Sequence, residues 1–574
     1  MVGPGQRIIE TENGWIAIAA SSAQQIAAMS AAFGVSTPSE IPEAARNRSQ
    51  GELLAALFAA GVPAAAVLQE QRGPFSSLAV RPYLDTRKVY FTKVDVTRLE
   101  ARVKPAELIG REAEWSALET FAVTREPLGG VGLLYGRRRT GKSFLLRQLV
   151  RAVGGFYFQA TESERTDALT EFGGAVAAAE AERTGRPAEP IRYADWNNAL
   201  SRREGLVVID ELPYLLRHSP ELPSVLQRLA DEATNGARPP VRFVLCGSSL
   251  SVMTSLLRGQ EPLRGRASLD LLLRPMSHDS IGALWGIEDL DVAIRIDAIF
   301  GGAPGYRSLT TGVPTSAEDL GRWLSTNVLN PTHALYREDD YLLQEERTIT
   351  DRALYGSLLR AIAAGVATQS EMAARLGRSR ESLTHPLSTL MKAGFVRRLE
   401  DILTGGRPQH VLADPIIRFI RLVVDPARPL LDEYRWIDVW NRAAHQMDAN
   451  IYGPHLEDVA RRWALLGYQP QNGFVTRVGS SKVADPVKRT SMQIDVVALG
   501  DAGDGSDAIK LIGEVKWSPS GFAPGAVDRL RRTRDLLAAQ GHNVDDCDLA
   551  LISRQQPRKV DGIRMVDLAD LYAR

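Results

Sequence analysis

Cysteine is nearly absent from this chain of 574 residues. Only Cys246 and Cys547 occur, which excludes a disulfide framework and a cysteine-rich zinc site. Net charge is lacking as well: Lys+Arg and Asp+Glu both number 69, so any nucleic-acid contact must come from local basic patches. No uninterrupted apolar run approaches the ~20 residues that span a bilayer, so no membrane partner is expected. The start, Met1-Val-Gly-Pro-Gly, lacks the basic and apolar regions of a secretory signal, which makes the cytoplasm the expected compartment. Internal repeats are missing too. What is present is ordinary globular composition, 44% hydrophobic and 24% charged, over a length too great for one core.

Apolar patterning organises the chain. Residues 14–19 read as a strand followed by an Ala-rich helix to Phe33; a second helix covers 50–60 and another strand 88–95. After Lys104-Pro105 strands and helices alternate, with strands at 131–135, 155–159, 206–210, 241–246 and 268–272 and helices at 142–152, 166–182 and 222–234. That alternation implies a mostly parallel sheet covered on both faces. Helical periodicity dominates 278–425, and strands return at 493–499, 509–516 and 547–552, with a hairpin loop at 500–507.

Gly136-Arg137-Arg138-Arg139-Thr140-Gly141-Lys142-Ser143 matches the phosphate-loop pattern between a strand and a helix. Glycines let backbone N–H groups turn toward phosphates, and the helix N-terminus adds positive potential. Lys142 is expected to reach the β- and γ-phosphates of ATP, and Ser143 to ligate Mg²⁺. The strand Leu206-Val-Val-Ile ends in Asp210-Glu211, where Asp210 can hold the Mg²⁺ shell and Glu211 can deprotonate the attacking water. Ser248, after the next strand, reads either as a γ-phosphate sensor or as a plain N-cap.

These pieces resemble the archaeal/bacterial ATPase family within the signal-transduction ATPases with numerous domains, close to the AAA+ group. The resemblance extends to Leu108-Ile-Gly-Arg-Glu-Ala-Glu114, like the entry segment that closes over adenine, and to Gly301-Gly-Ala-Pro304-Gly-Tyr, like the family's Gly-x-Pro motif. It implies that Pro304 packs against the nucleotide. Pro262-Leu-Arg-Gly-Arg266 offers Arg264 or Arg266 as a charge-stabilising arginine, in cis or across subunits of a homo-oligomer, with a surface salt bridge as the alternative for each.

Thr368–Gly377 followed by Ser379–Lys392 has helix-turn-helix spacing, with Ala373, Leu376, Leu383, Leu387 and Leu390 on apolar faces. Phe395-Val-Arg-Arg and Gln409-His-Val-Leu would form a wing. Six Lys/Arg against three Glu between 370 and 400 leave DNA binding open beside a purely architectural role.

Near the C-terminus, Gln493-Ile-Asp495-Val-Val-Ala and Gly513-Glu514-Val-Lys516-Trp are adjacent apolar strands, so a hairpin can bring two carboxylates to one hard cation. Residues 514 and 516 share a strand face, which sets the Lys516 ammonium beside that cation, where it could activate water. Glu457, on an upstream helix, is a further candidate ligand. This stretch resembles the PD-(D/E)XK nuclease superfamily, with Leu456 in place of the usual aromatic before the glutamate. A fold that binds nucleic acid without cutting it stays open. Residues 12–95 resemble the small subdomain of family III CoA-transferases without a counterpart of its catalytic aspartate, which points to a protein-partner module.

The expected fold is therefore multidomain α/β: residues 1–100 an α+β module, 101–285 a P-loop ATPase core, 286–345 a helical lid, 346–427 a winged helix-turn-helix, and 428–574 a restriction-endonuclease-like domain. Three functions follow: an ATP-gated, Mg²⁺-dependent nuclease acting on nucleic acid, DNA first, in defence or DNA processing; a nucleotide-controlled regulatory ATPase that binds DNA without cutting it; and a transcriptional regulator.

Overall fold

The computed structural model describes residues 104–574, apart from positions 125, 347, 407, 502–505, 519–520, 556–558 and 574, together with the backbone of four earlier strands. The chain forms two compact units, Met1–Lys104 and Pro105–Arg574.

The first unit contains an antiparallel sheet, β1 (Gln6–Thr11), β2 (Gly14–Ala19), β3 (Ala64–Gln69) and β4 (Leu78–Pro82), ordered as numbered. The strand expected at 14–19 is β2. The helices expected before Phe33 and at 50–60, and the strand at 88–95, lie outside the described residues.

The second unit opens with five parallel strands: β5 (Gly129–Tyr135), β6 (Phe156–Gln159), β7 (Gly205–Asp210), β8 (Val241–Gly247) and β9 (Ala267–Leu272). Their order is β6-β7-β8-β5-β9, so β8 lies between the strand leading to the phosphate loop and the strand ending in Asp210. Alternate residues of these strands enter opposite cores. Val207, Ile209, Phe243 and Leu245 pack with Phe172, Trp196 and Leu226, while Leu206, Val208, Val244 and Cys246 pack with Trp115, Leu145 and Leu149. Burial on both faces is what a central parallel strand requires, and it explains the unbroken apolar run at 206–209.

In the helical segment after β9, the helix Leu290–Phe300 is capped by the Asp289 carboxylate, which accepts the N–H groups of Asp291 and Val292. Farther on, the helix Gln369–Leu376 carries a Thr368–Glu371 capping box and stops at Gly377, whose φ of 60° suits the turn. The helix Thr384–Lys392 follows, then the antiparallel hairpin β10 (Val396–Leu399) and β11 (Gln409–Leu412). Ala373, Leu383, Leu387 and Leu390 are buried, and Leu376 packs partly against the same core.

The last sheet is β12 (Val475–Asp485), β13 (Thr490–Asp501), β14 (Asp507–Lys516), β15 (Asp548–Ser553) and β16 (Arg564–Val566), antiparallel from β12 to β14 and parallel thereafter. Sequence patterning misses β12 and β16. β12 is a largely polar edge strand, and β16 has three residues. Ile299, Leu324, Leu358, Leu390, Ile417, Leu456, Val496 and Ile552 belong to one buried cluster, so the segments expected at 286–345, 346–427 and 428–574 share a core. Among the described residues no helix is long and apolar enough to cross a membrane.

Candidate functional site

β5 delivers the chain to the sheet's C-terminal edge, where it bends sharply into the loop. A Cβ at Gly136 would sit 2.3 Å from the Leu273 carbonyl oxygen, so only glycine fits. Arg139 (φ 68°) and Gly141 (φ 91°) adopt left-handed backbone, and the helix Lys142–Val153 starts without a side-chain cap, leaving its first N–H groups for a ligand. Lys142 is buried, and its ammonium donates to the carbonyls of Gly136 (2.8 Å) and Arg137 (2.9 Å). The Thr140 hydroxyl also donates to the Arg137 carbonyl (2.8 Å). Ser143 lies on the first turn, half-buried.

β7 carries Asp210 to the same edge, fully buried. Tyr157, on the adjacent β6, donates its hydroxyl to Asp210 Oδ2 at 2.6 Å, and the Glu211 N–H donates to Oδ1 at 2.9 Å. Burial and the Asp210 charge push the Tyr157 phenol up, so it stays a donor. Sequence reading misses Tyr157, because a tyrosine between two strand phenylalanines carries no local mark of function. Glu211 has left-handed backbone (φ 54°), which turns its side chain toward Ser248. The Ser248 hydroxyl and N–H donate to Glu211 Oε2 at 3.0 and 3.3 Å. The N-cap reading of Ser248 is corrected, since the cap position of the helix Leu250–Ser255 belongs to Ser249. Buried Cys246, on β8 between β5 and β7, pairs with Leu134 of β5, and its neighbour Leu245 pairs with Ile209, the residue before Asp210. The Cys246 thiol is pushed up by burial and by Asp210, with Glu211 adding, while Lys142 pulls it down. The phosphate loop and the acidic pair leave the sheet at the same edge, from the two strands that flank β8. A cavity of about 580 Å³ opens beside Glu211 and Ser248, bordered also by Arg138, Tyr341 and Arg352.

The three loop arginines are engaged by carboxylates from the helical half of the unit. Arg139 forms a two-pronged pair with fully buried Glu338 (both 2.6 Å), Arg138 pairs with Glu345, and Arg137 pairs with Asp414 while lying 4.7 Å over the Phe395 ring. Pro304 lies over the loop: the Gly305 N–H donates to the Arg139 carbonyl (2.9 Å), and a Cβ on Gly141 would be 3.8 Å from Pro304 Cγ. The entry segment touches it too, through Arg111 to the Thr140 carbonyl (3.2 Å).

Arg266 is corrected as a residue acting on its own subunit's pocket. It precedes β9, whose Ala267 pairs with Val131, at the edge opposite the loop that follows Tyr135. Five strand residues separate the two levels, on the order of 16 Å. Its guanidinium pairs with Asp231 at 3.1 Å, half-exposed, and Arg264 donates to the Gly259 carbonyl (2.6 Å).

In the C-terminal sheet, Val496 pairs with Gly513, so Asp495 stands across from Glu514 one register step farther, with Lys516 on the same face. Asp495 accepts the Val515 N–H (2.9 Å) and the Gln493 amide (3.3 Å). Burial, then the Glu514 charge, push the Asp495 carboxyl up against that Val515 hydrogen bond, and burial and Asp495 push Glu457 up. Glu457, on the helix Gly453–Leu466, lies 3.4 Å from Arg461, which also donates to the Asp495 carbonyl (2.8 Å). The Glu514 carboxylate is turned to Arg529. Among the described residues no three His, Cys, Asp or Glu side chains are gathered closely enough to hold a metal ion, so Glu457, Asp495 and Glu514 do not converge as a ready trio.

Comparison with known proteins follows this geometry. The chain is 25% identical over 396 residues to an uncharacterized protein of Methanocaldococcus jannaschii, covering 67% of this chain and 82% of that one. Among solved structures it is similar to the Walker-type ATPase of Pyrococcus abyssi, at 18% identity with a TM-score of 0.40, covering 55% of this chain and 97% of that one. It is also similar to the Aeropyrum pernix ORC2 protein in its ADPNP–ADP complexes, at 15% identity with a TM-score of 0.38, covering 59% and 98%. Residues 108–286 match the family described as an ATPase domain predominantly from Archaea, and that segment, with its phosphate loop and acidic strand end, is an ATPase domain of this description.

Proposed function

We propose that the chain binds and hydrolyses Mg²⁺-ATP and couples this to a metal-dependent nuclease-like domain acting on nucleic acid, DNA first. The observation that carries the reading is that the phosphate loop bearing Lys142 and the Asp210–Glu211 pair leave the same edge of the parallel sheet, on either side of β8. Lys142 holds the terminal phosphates and Ser248 fixes the Glu211 carboxylate, which accepts a proton from the attacking water. The Ser143 hydroxyl and Asp210 carboxylate are hard oxygen donors suited to Mg²⁺. Asp210 Oδ2 accepts the Tyr157 hydroxyl and Oδ1 the Glu211 N–H, which leaves lone-pair capacity for the cation's shell. Magnesium held there would neutralise phosphate charge.

In the C-terminal domain Asp495 and Glu514 supply carboxylates of the kind Mg²⁺ takes, with Lys516 on the same face to orient a water. The test incubates full-length protein and Mg²⁺ with linear and circular DNA, with and without ATP, beside Lys142→Ala, Glu211→Gln and Asp495→Ala. Cleavage that responds to nucleotide and vanishes in Asp495→Ala is expected. ATP consumption with DNA never cut overturns the nuclease half.

A second reading is a nucleotide-controlled regulator that binds DNA and leaves it intact. The pairing of Glu514 with Arg529 favours it, because that carboxylate is already partnered. It requires retention of DNA at unchanged length in every nucleotide condition.

A further inference from the structure

The segment Gly301–Pro304 that lies against the phosphate loop is the direct continuation of the helix Leu290–Phe300. The far side of that helix reaches the C-terminal carboxylates by two routes. Asp297, buried, meets His455 at 2.8 Å, and His455 stands two residues before Glu457 on the same helix. Arg295 lies over two rings at once, 4.7 Å from the Tyr452 centroid and 5.1 Å from that of Trp517. Trp517 directly follows Lys516. It is buried, and its indole N–H donates to Asp448 at 2.8 Å. Arg554 covers the same indole at 5.4 Å and reaches back to Asp291 on the helix, 3.2 Å away. That last pair is close but misaligned: neither Arg554 Nε nor Asp291 Oδ1 completes a hydrogen bond, so a small shift of the helix could tighten or part them.

We infer that the helix Leu290–Phe300 couples the phosphate loop to the C-terminal carboxylates, with Arg295 as the positioning residue that transmits its movement to Lys516 and Glu514 through Trp517. The inference rests on the proposed reading of that carboxylate site. Close-packed buried groups pass displacement on rather than absorbing it, and helix shifts of about 1–2 Å are an ordinary mode of switching. A nucleotide that moves Pro304 therefore moves Arg295 and Asp297 together, and both ends of the carboxylate site, the Glu457 helix and the Lys516 strand, are displaced by one rigid element.

Hydrogen–deuterium exchange on full-length Glu211→Gln protein, with and without Mg²⁺-ATP, tests this. Exchange at 290–304 and at 512–518 should change together, by at least about fivefold. Adding Arg295→Gln should keep the response at 290–304 and reduce that at 512–518 to within about twofold. Arg295→Lys should restore part of it, and Trp517→Phe should weaken it in the same way. In otherwise wild-type protein, Arg295→Gln leaves ATP turnover unchanged. A parent protein silent at 512–518, or an Arg295→Gln protein still responding there, overturns the inference. If exchange is coupled while DNA is never cut, the nuclease reading fails and the coupling stands.

Discussion

Ser248 gives both its hydroxyl and its backbone N–H to one oxygen of Glu211, at 3.0 and 3.3 Å, across the gap between β8 and β7. Two donors on one carboxylate oxygen hold the side chain in a single orientation. Glu211→Gln should keep ATP binding and lower turnover by about 10²–10⁴-fold, the usual contribution of a positioned general base. Ser248→Ala should lower turnover about tenfold with little change in KM, since it disturbs orientation rather than binding. Steady-state ATPase kinetics on the two variants check this, and an unchanged kcat in Ser248→Ala would remove the positioning role.

Lys142 lies buried against the carbonyls of its own loop. At ATP about 100-fold above Kd, binding stabilises the folded protein by about 2.7 kcal/mol. Lys142→Ala should abolish that stabilisation. Thermal unfolding with and without Mg²⁺-ATP measures it, and a full ATP-dependent Tm rise in the variant contradicts the assignment.

Asp495 and Glu457 both have carboxyls raised by burial and by neighbouring negative charge. Raised folded-state values contribute stability that is present below the ordinary carboxylate range and is lost as pH rises through the raised values. Above those raised values the charges are unfavourable, so the gain in Tm from Asp495→Asn should grow as pH rises and be smallest near pH 4. Mg²⁺ should stabilise the wild type more at pH 7.5 than at pH 5, and Asp495→Asn should lose that gain. Tm measured across pH with and without Mg²⁺ decides it; a Tm that falls at pH 7.5 in Asp495→Asn refutes the account.

Asp401, just after β10, ties the hairpin to β12 by accepting the Ser481 hydroxyl (2.7 Å) and the Lys482 N–H (3.0 Å), as well as two N–H groups of its own turn. Burial pushes its carboxyl up, but these hydrogen bonds hold it below the ordinary value. Its contribution is therefore present above the ordinary carboxylate range and lost as pH falls through the lowered value. Asp401→Ala should cost about 1–3 kcal/mol at pH 7, and the gap to wild type should narrow in strong acid. Denaturant unfolding at both pH values tests this. If the variant also binds DNA more tightly, the hairpin is freed by undocking.

The parallel sheet, the phosphate loop and the acidic strand end were legible because their information is local. Four apolar residues before Asp210 require burial on both faces, and the glycines at 136 and 141 meet a steric need within a few residues of themselves. Asp495, Glu514 and Lys516 were likewise legible as a strand pair, because side chains alternate along a strand and register carries them to one face.

Which partner each charged side chain finds was decided only by tertiary structure. Arg137, Arg138 and Arg139 pair with acids about 200 or more residues away, Arg266 lands on the opposite sheet edge from the loop, and Glu514 meets Arg529 rather than a third ligand. Charges are long side chains with many compatible partners, so sequence spacing constrains them weakly, whereas backbone sterics and strand alternation act within a few residues. The amino-acid sequence by itself therefore determined the elements and the chemistry available at their ends; packing decided which of those ends meet.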